Sequence, residues 1–390
     1  MGQRARNKKL FVEIQSVLGT PATVENADAV KTSGLDIQNY AGDRVSQEYD
    51  RAGLGNDRQI NVNEYAMVTT FRVPLIGSGD WETAPAWGKP LRACAAAQTD
   101  ATAAVDTGTA ESGTGTTLTD TDKTWDADEH IGLIVAITAG TGSGQVRVIT
   151  DNDTDTLTVS PAWAVNPGAD SEYTISVGEW RYTPVDKGFE MVTLVVAEEH
   201  IQQQMAGVRG SFGIEANPGA LPVFTFSNWM GDYARPVALA LTSPDDTAYL
   251  DAVPVTYSNT AVLTIDDVQY AVGGFTFDGG VTVTRINQPG RQESIVENRA
   301  ASGTIIVAPE DANGLIALLA KAENHSGSTD VAINLKHGSG IGSIIKLDIP
   351  VASLGEYSRQ VIAGETYFSF PFTVLPPASG AEWTITQAVA

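Results

Sequence analysis

The fold prediction starts from residues 281–322, VTVTRINQPGRQESIVENRAASGTIIVAPEDANGLIALLAKA. Valine and threonine alternate over residues 281–284, and this period of two is typical of a half-buried strand. Residues 285–296 contain Pro289 and Gly290 and charges of both signs, so they predict a long polar loop that leaves the sheet. An exposed polar arm therefore follows the first strand of this stretch.

A second strand and a helix complete the stretch. Thr304–Val307 is rich in β-branched residues, and Pro309 ends it because proline cannot donate to a sheet ladder. Glu310 and Asp311 place negative charge at a helix start. One apolar stripe follows at helical spacing, formed by Leu315, Ile316, Leu318, Leu319 and Ala322. The stretch predicts strand, polar arm, strand and helix in a chain that otherwise looks all-β.

The same order of elements occurs over residues 43–97. It comprises a strand, a polar loop with glycines and mixed charge, a strand over Ala66–Val73, and a short helix over Pro85–Ala97. The correspondence places Val45 against Val283, Asp50–Glu64 against residues 286–298, Phe71 against Ile306, and Leu91–Ala97 against Leu315–Ala322. We interpret this as a tandem duplication of one β-rich unit. The alternative is that mixed β proteins commonly share this order of elements without any duplication.

The predicted fold is mainly β, with two rolled β-sandwiches in tandem, each with one short helix, and a small inserted β module. Residues 100–178 shift in composition to Thr, Asp, Gly and Ala and contain several short strands. The predicted boundaries are residues 1–99 with 179–235 for the first domain, 100–178 for the module, 236–256 for a linker and 257–390 for the second domain.

Composition limits the function classes. The net charge is −23, which argues against a grip on nucleic acid, because phosphate binding depends on Lys and Arg. A lone cysteine, Cys94, excludes an internal disulfide and fits assembly in a reducing cytoplasm. No apolar run reaches the length of a membrane helix, so we expect no membrane segment.

The sequence offers no catalytic constellation. The histidines at positions 130, 200, 325 and 337 lie far apart and form no metal motif, and Cys94 lies within the predicted helix stripe. Asp151–Asp155 resembles the start of a calcium loop, but Thr156 stands where the loop needs glycine. We therefore predict no enzyme activity, no catalytic residue, no cofactor and no metal.

The chain resembles the major tail tube proteins of long-tailed phages and prophages. The segments that carry the resemblance are IDDVQYAVGGFTFDGGVTVTR (265–285), ENRAASGTIIVAPED (297–311), the helix at 312–323, LKHGSG (335–340), KLDIPVA (346–352), PFTVLP (371–376) and EWTIT (382–386). YDRAGLG (49–55), INVNEY (60–65) and PAWGKPLRAC (85–94) add to it in the first half. Their order and spacing carry the resemblance, which covers most of the chain outside 100–178.

The resemblance implies a structural virion protein that packs side by side into rings, which stack into the tail tube that conducts DNA into the host. Homotrimeric, pseudo-hexameric rings follow if the duplication is real, and a homohexamer is the alternative. The predicted arms between rings are 50–64 and 286–298, with Asp50, Arg51, Arg58, Arg285, Arg291, Glu293, Glu297 and Arg299 as contact residues. Further partners would be the tape measure, terminator and distal tail proteins at the tube ends. DNA would pass through without specific binding.

Localisation and alternatives follow from the same reasoning. We expect assembly in the host cytoplasm, a final place in the virion tail, and an insert that projects outward. One alternative is another virion protein, such as a terminator, baseplate hub or head decoration. A second alternative is a carbohydrate-binding β-sandwich or adhesin that uses the aromatic residues Trp125, Trp163 and Tyr173 of the insert.

Overall fold

The structure, a computed structural model, describes residues 8–50, 54–62, 64–246, 250–260, 262–308, 312–323, 330–340 and 342–388. The fold is mainly β, and the strand pairings in the described residues are antiparallel. Two α-helices accompany the strands. The prediction of a mainly β fold is confirmed.

The first half of the chain contributes one long sheet segment and a short helix. Its elements are β1 (Lys8–Gln15), a 3-10 turn (Asn26–Asp28), β2 (Ala29–Val30), β3 (Ser33–Ala41), β4 (Arg44–Gln47), β5 (Arg58–Asn61), β6 (Tyr65–Pro74), α1 (Gly88–Arg92), β7 (Ala96–Thr99), β15 (Trp180–Pro184), β16 (Met191–Glu198), β17 (Ile201–Ala216), β18 (Val223–Tyr233) and β19 (Val237–Ala238).

The module between β7 and β15 forms a sheet of its own. Its strands are β8 (Ala104–Thr109), β9 (Ser112–Gly113), β10 (Thr117–Thr119), β11 (Ile134–Ala139), β12 (Val146–Asn152), β13 (Thr156–Ser160) and β14 (Glu172–Ser176). The sheet order is β8-β14-β11-β12-β13-β10-β9, and no pairing in the described residues joins it to the main sheet. Strands β7 and β15 pair with each other, which brings the two ends of the module together.

The second half repeats the arrangement of the first. Its elements are β20 (Val262–Ile265), β21 (Val268–Gln269), β22 (Val272–Asp278), β23 (Val281–Gln288), β24 (Arg291–Arg299), β25 (Ser302–Val307), α2 (Ala312–Ala322), β26 (Val331–His337), β27 (Ile344–Leu354), β28 (Ser358–Ile362), β29 (Glu365–Val374) and β30 (Thr384–Ala388).

Strand pairing is the clearest sign of the repeat. The matching pairs, first half against second, are β1–β2 and β20–β21, β1–β16 and β20–β26, β3–β6 and β22–β25, β4–β5 and β23–β24, β6–β18 and β25–β29, β16–β17 and β26–β27, β17–β18 and β27–β29, and β17–β19 and β27–β30. Each half therefore has the same topology, which is what the predicted duplication requires.

A continuous inner sheet runs through both halves in the order β3-β6-β18-β17-β22-β25-β29, and it continues on the far side of β29 into β27 and β28. One face of this sheet is aromatic and buried. Phe71 and Phe226 lie opposite each other with ring centroids 4.9 Å apart, and Phe370 is fully buried opposite Ile305. The period of two along each strand sends these side chains into one core that both halves share.

Three sequence predictions about local structure are wrong. Residues 285–296 are not a loop, because β23 and β24 form a hairpin with Pro289 and Gly290 at its turn. The predicted loop at 50–64 likewise contains β5, which pairs with β4. The helix predicted over Pro85–Ala97 is shorter, because Ala95 adopts a left-handed conformation (φ 58°) that ends the helical segment, and β7 follows.

Candidate assembly site: sheet edges and paired hairpins

The inner sheet contains a seam where the two halves meet. Residues 213–216 of β17 pair with residues 278–275 of β22. In the order of the sheet, β17 is the outermost inner strand of the first half, and it joins the first inner strand of the second half edge to edge. Strand β17 uses its other edge to pair with β18. The seam therefore joins two four-stranded units by backbone hydrogen bonds.

The two ends of the inner sheet carry the matching edges. Strand β3 occupies in the first half the place that β22 occupies in the second, and in the described residues it pairs only with β6. At the other end, β28 follows β27 and, within the described part of the chain, pairs only with β29. Its Val361 side chain is 72% exposed. One chain thus presents an open β22-like edge and an open β17-like edge.

The face of the inner sheet opposite the aromatic core is polar. Paired positions across this face include Thr225 beside Arg72, Glu215 beside Thr276, and Asp278 beside Ser302. Further members of the face are Asp36, Thr70, Ser227, Thr304 and Thr373. The face encloses a groove of about 590 Å³ at the seam. Its named charged residues are three acids and one arginine, set among hydroxyl groups.

The second hairpin, residues 281–299, is fastened to β17 and β18 of the first half. The Arg285 side chain is 4% exposed and forms an ion pair with Asp232. Ser294 Oγ donates to the carbonyl oxygen of Met230 at 2.8 Å, and Arg209 donates to the carbonyl oxygen of Ser294. Burial lowers the pKa of Arg209, and the nearby carboxylate of Glu293 opposes that shift. These contacts anchor the lower part of the hairpin within the chain.

The remaining predicted contact residues of the second hairpin divide into base and tip. Arg299 at the base donates to Val185 O at 2.7 Å and to Asp186 at 3.0 Å. Arg291 lies at the exposed tip, where its Nε donates to Glu293 at 2.6 Å. Glu297 is exposed and accepts a hydrogen bond of 2.6 Å from Thr284. Arg285 is thus buried within the chain, and the polar docking surface between rings that the sequence predicts stays a prediction.

The first hairpin, residues 44–61, has different surroundings. Val45 lies opposite Ile60, and these side chains are 56% and 44% exposed. Asp50 and Arg58 are exposed, and Arg51 lies outside the described residues. Asn287, near the tip of the second hairpin, donates from Nδ2 to the carbonyl oxygen of Val62, at the base of the first hairpin, at 2.7 Å.

Each hairpin is preceded by a glycine at the exit from an inner strand. Gly280 lies two residues after the end of β22 with φ 62°, and a Cβ there would lie 1.9 Å from the carbonyl oxygen of Ala300. Gly42 follows β3 with φ 155°. Glycine permits these sharp exits from the sheet, and this explains why each hairpin forms a separate two-stranded sheet.

Groups with possible reactivity serve other purposes. Cys94 is buried, and burial raises the pKa of its thiol well above the ordinary value. Burial likewise lowers the pKa of His337, whose Nδ1 lies 2.9 Å from Thr260 Oγ1. His130 is buried against Trp125, and His325 lies outside the described residues. The described residues include no cluster of three metal-binding side chains.

The module does not present the aromatic surface that the carbohydrate-binding alternative requires. Trp125, Trp163 and Tyr173 lie in the core of the module with Leu157 and Ile175. The three rings are buried, so they cannot stack on a sugar, and this part of the alternative is wrong.

The sequence did not indicate the anchor residues Arg209 and Asp232 or the two open edges. Pro289–Gly290 was an available signal for the hairpin, because this dipeptide between two β-branched segments marks a tight turn. No local signal identifies the anchor residues, because they lie 53 or more positions from their partners.

Comparison with protein-family models and with curated proteins finds no match to this chain. Neither helix in the described part of the chain has the length and apolar character needed to cross a lipid bilayer.

Proposed function

We propose that this chain is the subunit of a hollow protein tube, the tail tube of a long-tailed phage or prophage, through which DNA is delivered into the host. Three copies would close a ring, and rings would stack. The observation that carries the proposal is the seam between β17 and β22, because the chain already contains one copy of the contact that a ring would need to repeat.

The seam provides a template for the contact between copies. Phe212 and Tyr357 both lie on the core side, so residues 213–216 of β17 correspond to residues 358–361 of β28. Leu35 and Ile37 take the core-side places of Phe275 and Phe277, so residues 275–278 of β22 correspond to residues 35–38 of β3. The proposed joint therefore pairs 358–361 of one copy with 35–38 of the next. Repetition of one contact closes a ring of fixed size, and it covers edges that would otherwise promote aggregation.

The polar face of the inner sheet supports the same function. In a ring closed through these edges, one face of the sheet points toward the axis, and the aromatic face is already covered by the core. The inward face would then carry Asp36, Glu215 and Asp278 among hydroxyl groups. A surface of this kind lacks the dense Lys and Arg that hold phosphates, so DNA can slide along it.

The first experiment is electron microscopy of the purified chain in negative stain, with mass photometry on the same sample. We expect rings and tubes with a regular repeat, a particle mass of three chains for a single ring, and top views with six similar lobes and threefold symmetry. A protein that stays monomeric at high concentration would rule out the proposal. Closed rings that never stack would instead favour a terminator or another virion ring protein.

Two proline variants test the edge directly. Successive N–H groups of an edge strand point alternately to the paired neighbour and to the open side. Of Gln360→Pro and Val361→Pro, one therefore removes a bond to β29, and the other removes a donor from the open edge. We expect one variant to keep the stability of the monomer and yet fail to form rings. Normal rings from both variants would contradict the joint.

A further inference from the structure

The second hairpin docks on the first half, whereas the apolar pair of the first hairpin, Val45 and Ile60, is largely exposed. The surface under the second hairpin is formed by Arg209 of β17 and by Met230 and Asp232 of β18. The same two strands exist in the second half as β27 and β29. The repeat therefore contains a second surface of the same construction.

Strand register identifies the residues of that second surface. Met230 pairs with Arg209, and Thr373 pairs with Ser353 in the corresponding strands. Trp229 and Phe372, one position earlier, are the matching buried residues opposite β6 and β25. Ser353 therefore stands in place of Arg209, and Leu375 stands in place of Asp232. The second surface has lost both charges.

The exposed side chains that the first hairpin offers are likewise apolar rather than charged. The second hairpin brings Arg285 and Glu293 to the charged surface. The first hairpin instead exposes Val45 and Ile60 from opposite positions of its two strands, and Val62 continues the apolar strip. An apolar hairpin and a neutral surface with a leucine are complementary, since each would bury apolar area that is otherwise exposed to water.

We propose that the first hairpin docks on β27 and β29 of a second copy of this chain, around Ser353, Thr373 and Leu375, as the second hairpin docks on β17 and β18 within the chain. This inference rests on the proposed ring, because ring closure places the first half of one copy beside the second half of the next. It also assigns the lower part of each hairpin to contacts around the ring. The tips remain available for contacts between rings.

The two hairpin types would fix the order of halves around the ring. A second hairpin placed on the neutral surface would bury Arg285 opposite Leu375 without a carboxylate, and an unpaired buried charge is strongly unfavourable. A first hairpin placed on the charged surface would bury Arg209 and Asp232 against valine and isoleucine. First and second halves must therefore alternate, which excludes rings joined through two first halves.

Cross-linking between two variants tests the contact. Ile60→Cys and Leu375→Cys chains are prepared separately, mixed, assembled and treated with a short bismaleimide. Cys94 is buried and is present in every sample, including the untreated parent. We expect a covalent dimer in the mixture and none in either variant alone. The matched control pairs Ile60→Cys with Val165→Cys, an exposed residue of the module, and should give no dimer.

Mass photometry of the same samples separates the two proposals. Rings of normal mass without a cross-link above the control would overturn the docking and leave the ring intact. Absence of rings would overturn both, since the inference requires a second copy.

A pair of compensating substitutions tests the same contact. Ile60→Lys should weaken ring assembly at least tenfold, and the addition of Leu375→Asp should restore most of it. Failure of the rescue with both chains folded would also count against the contact.

Discussion

The hairpins at 44–61 and 281–299 occupy the same place in two halves with the same topology, yet their burial differs. The second hairpin combines a buried arginine, a buried serine and two buried valines at its base. The first hairpin exposes the apolar pair at its centre. The comparison shows that a repeated backbone can carry buried anchors in one copy and an exposed apolar pair in the other.

The largest effect is expected at Val283 and Val45, which are equivalent positions in the sequence comparison of the two halves. Val283 is buried in the main core, so Val283→Asp should destabilise the second hairpin by about 3 kcal/mol or more through burial of an unpaired charge. Val45 is mostly exposed, so Val45→Asp should change the stability of the monomer by less than about 0.5 kcal/mol. The measurement is hydrogen exchange of the hairpin amides. Equal effects would contradict the difference in burial.

The anchoring ion pair gives the next effect. Arg285→Ala leaves Asp232 without its cation, and the expected cost is about 2 kcal/mol, because Asp232 keeps some access to water. Amides of β23 and β24 should exchange faster by more than tenfold. Arg58→Ala in the exposed first hairpin is the matched control and should stay within about 0.5 kcal/mol.

A charge swap sharpens that result. Asp232→Arg alone should open the hairpin, and combination with Arg285→Asp should recover part of the protection. Protection unchanged by either single substitution would mean that apolar contacts alone hold the hairpin.

A single hydroxyl group gives a smaller effect. Ser294→Ala removes the 2.8 Å hydrogen bond to Met230 O, and the expected loss is about 1 kcal/mol. The contact from Arg209 to the backbone of residue 294 is retained. Ser46→Ala, at an exposed position of the first hairpin, is the control and should be nearly neutral. Hydrogen-exchange rates of the hairpin amides, measured over a range of urea concentrations, distinguish the two variants.

The sequence predicted the strands better than their surroundings, for a physical reason. Periodicity two identified β6 and the aromatic strand β18, in which buried residues recur at alternate positions. Strand β16 is instead buried along nearly all of its length, and its continuous apolar run identified it. The hairpins were assigned as loops because polar residues occupy both of their faces over most of their length. The anchor residues Arg209 and Asp232 belong to strands far along the chain from Arg285 and Ser294. Their role follows from strand register, which a single sequence does not specify.

The smallest expected effect lies at the root of the first hairpin. Tyr40 packs edge-on against Tyr233 with ring centroids 4.9 Å apart, and its hydroxyl group donates to Glu64 at 3.2 Å. Burial raises the pKa of Tyr40, and the hydrogen bond to the Glu64 carboxylate raises it further. Because the folded state holds this phenolic proton more tightly, the stabilisation is present below the unfolded pKa of about 10 and is lost as the pH rises through the higher folded value. Exchange at the base of β4 and β5 should therefore increase in alkali.

Tyr40→Phe removes both the titration and the hydrogen bond, so its exchange should lose this pH dependence and resemble the alkaline form of the parent at neutral pH. An identical alkaline response in Tyr40→Phe would place the titrating group elsewhere. The second hairpin should respond less, because ion pairs of Arg285 and Arg299 hold its base and no tyrosine takes part in them.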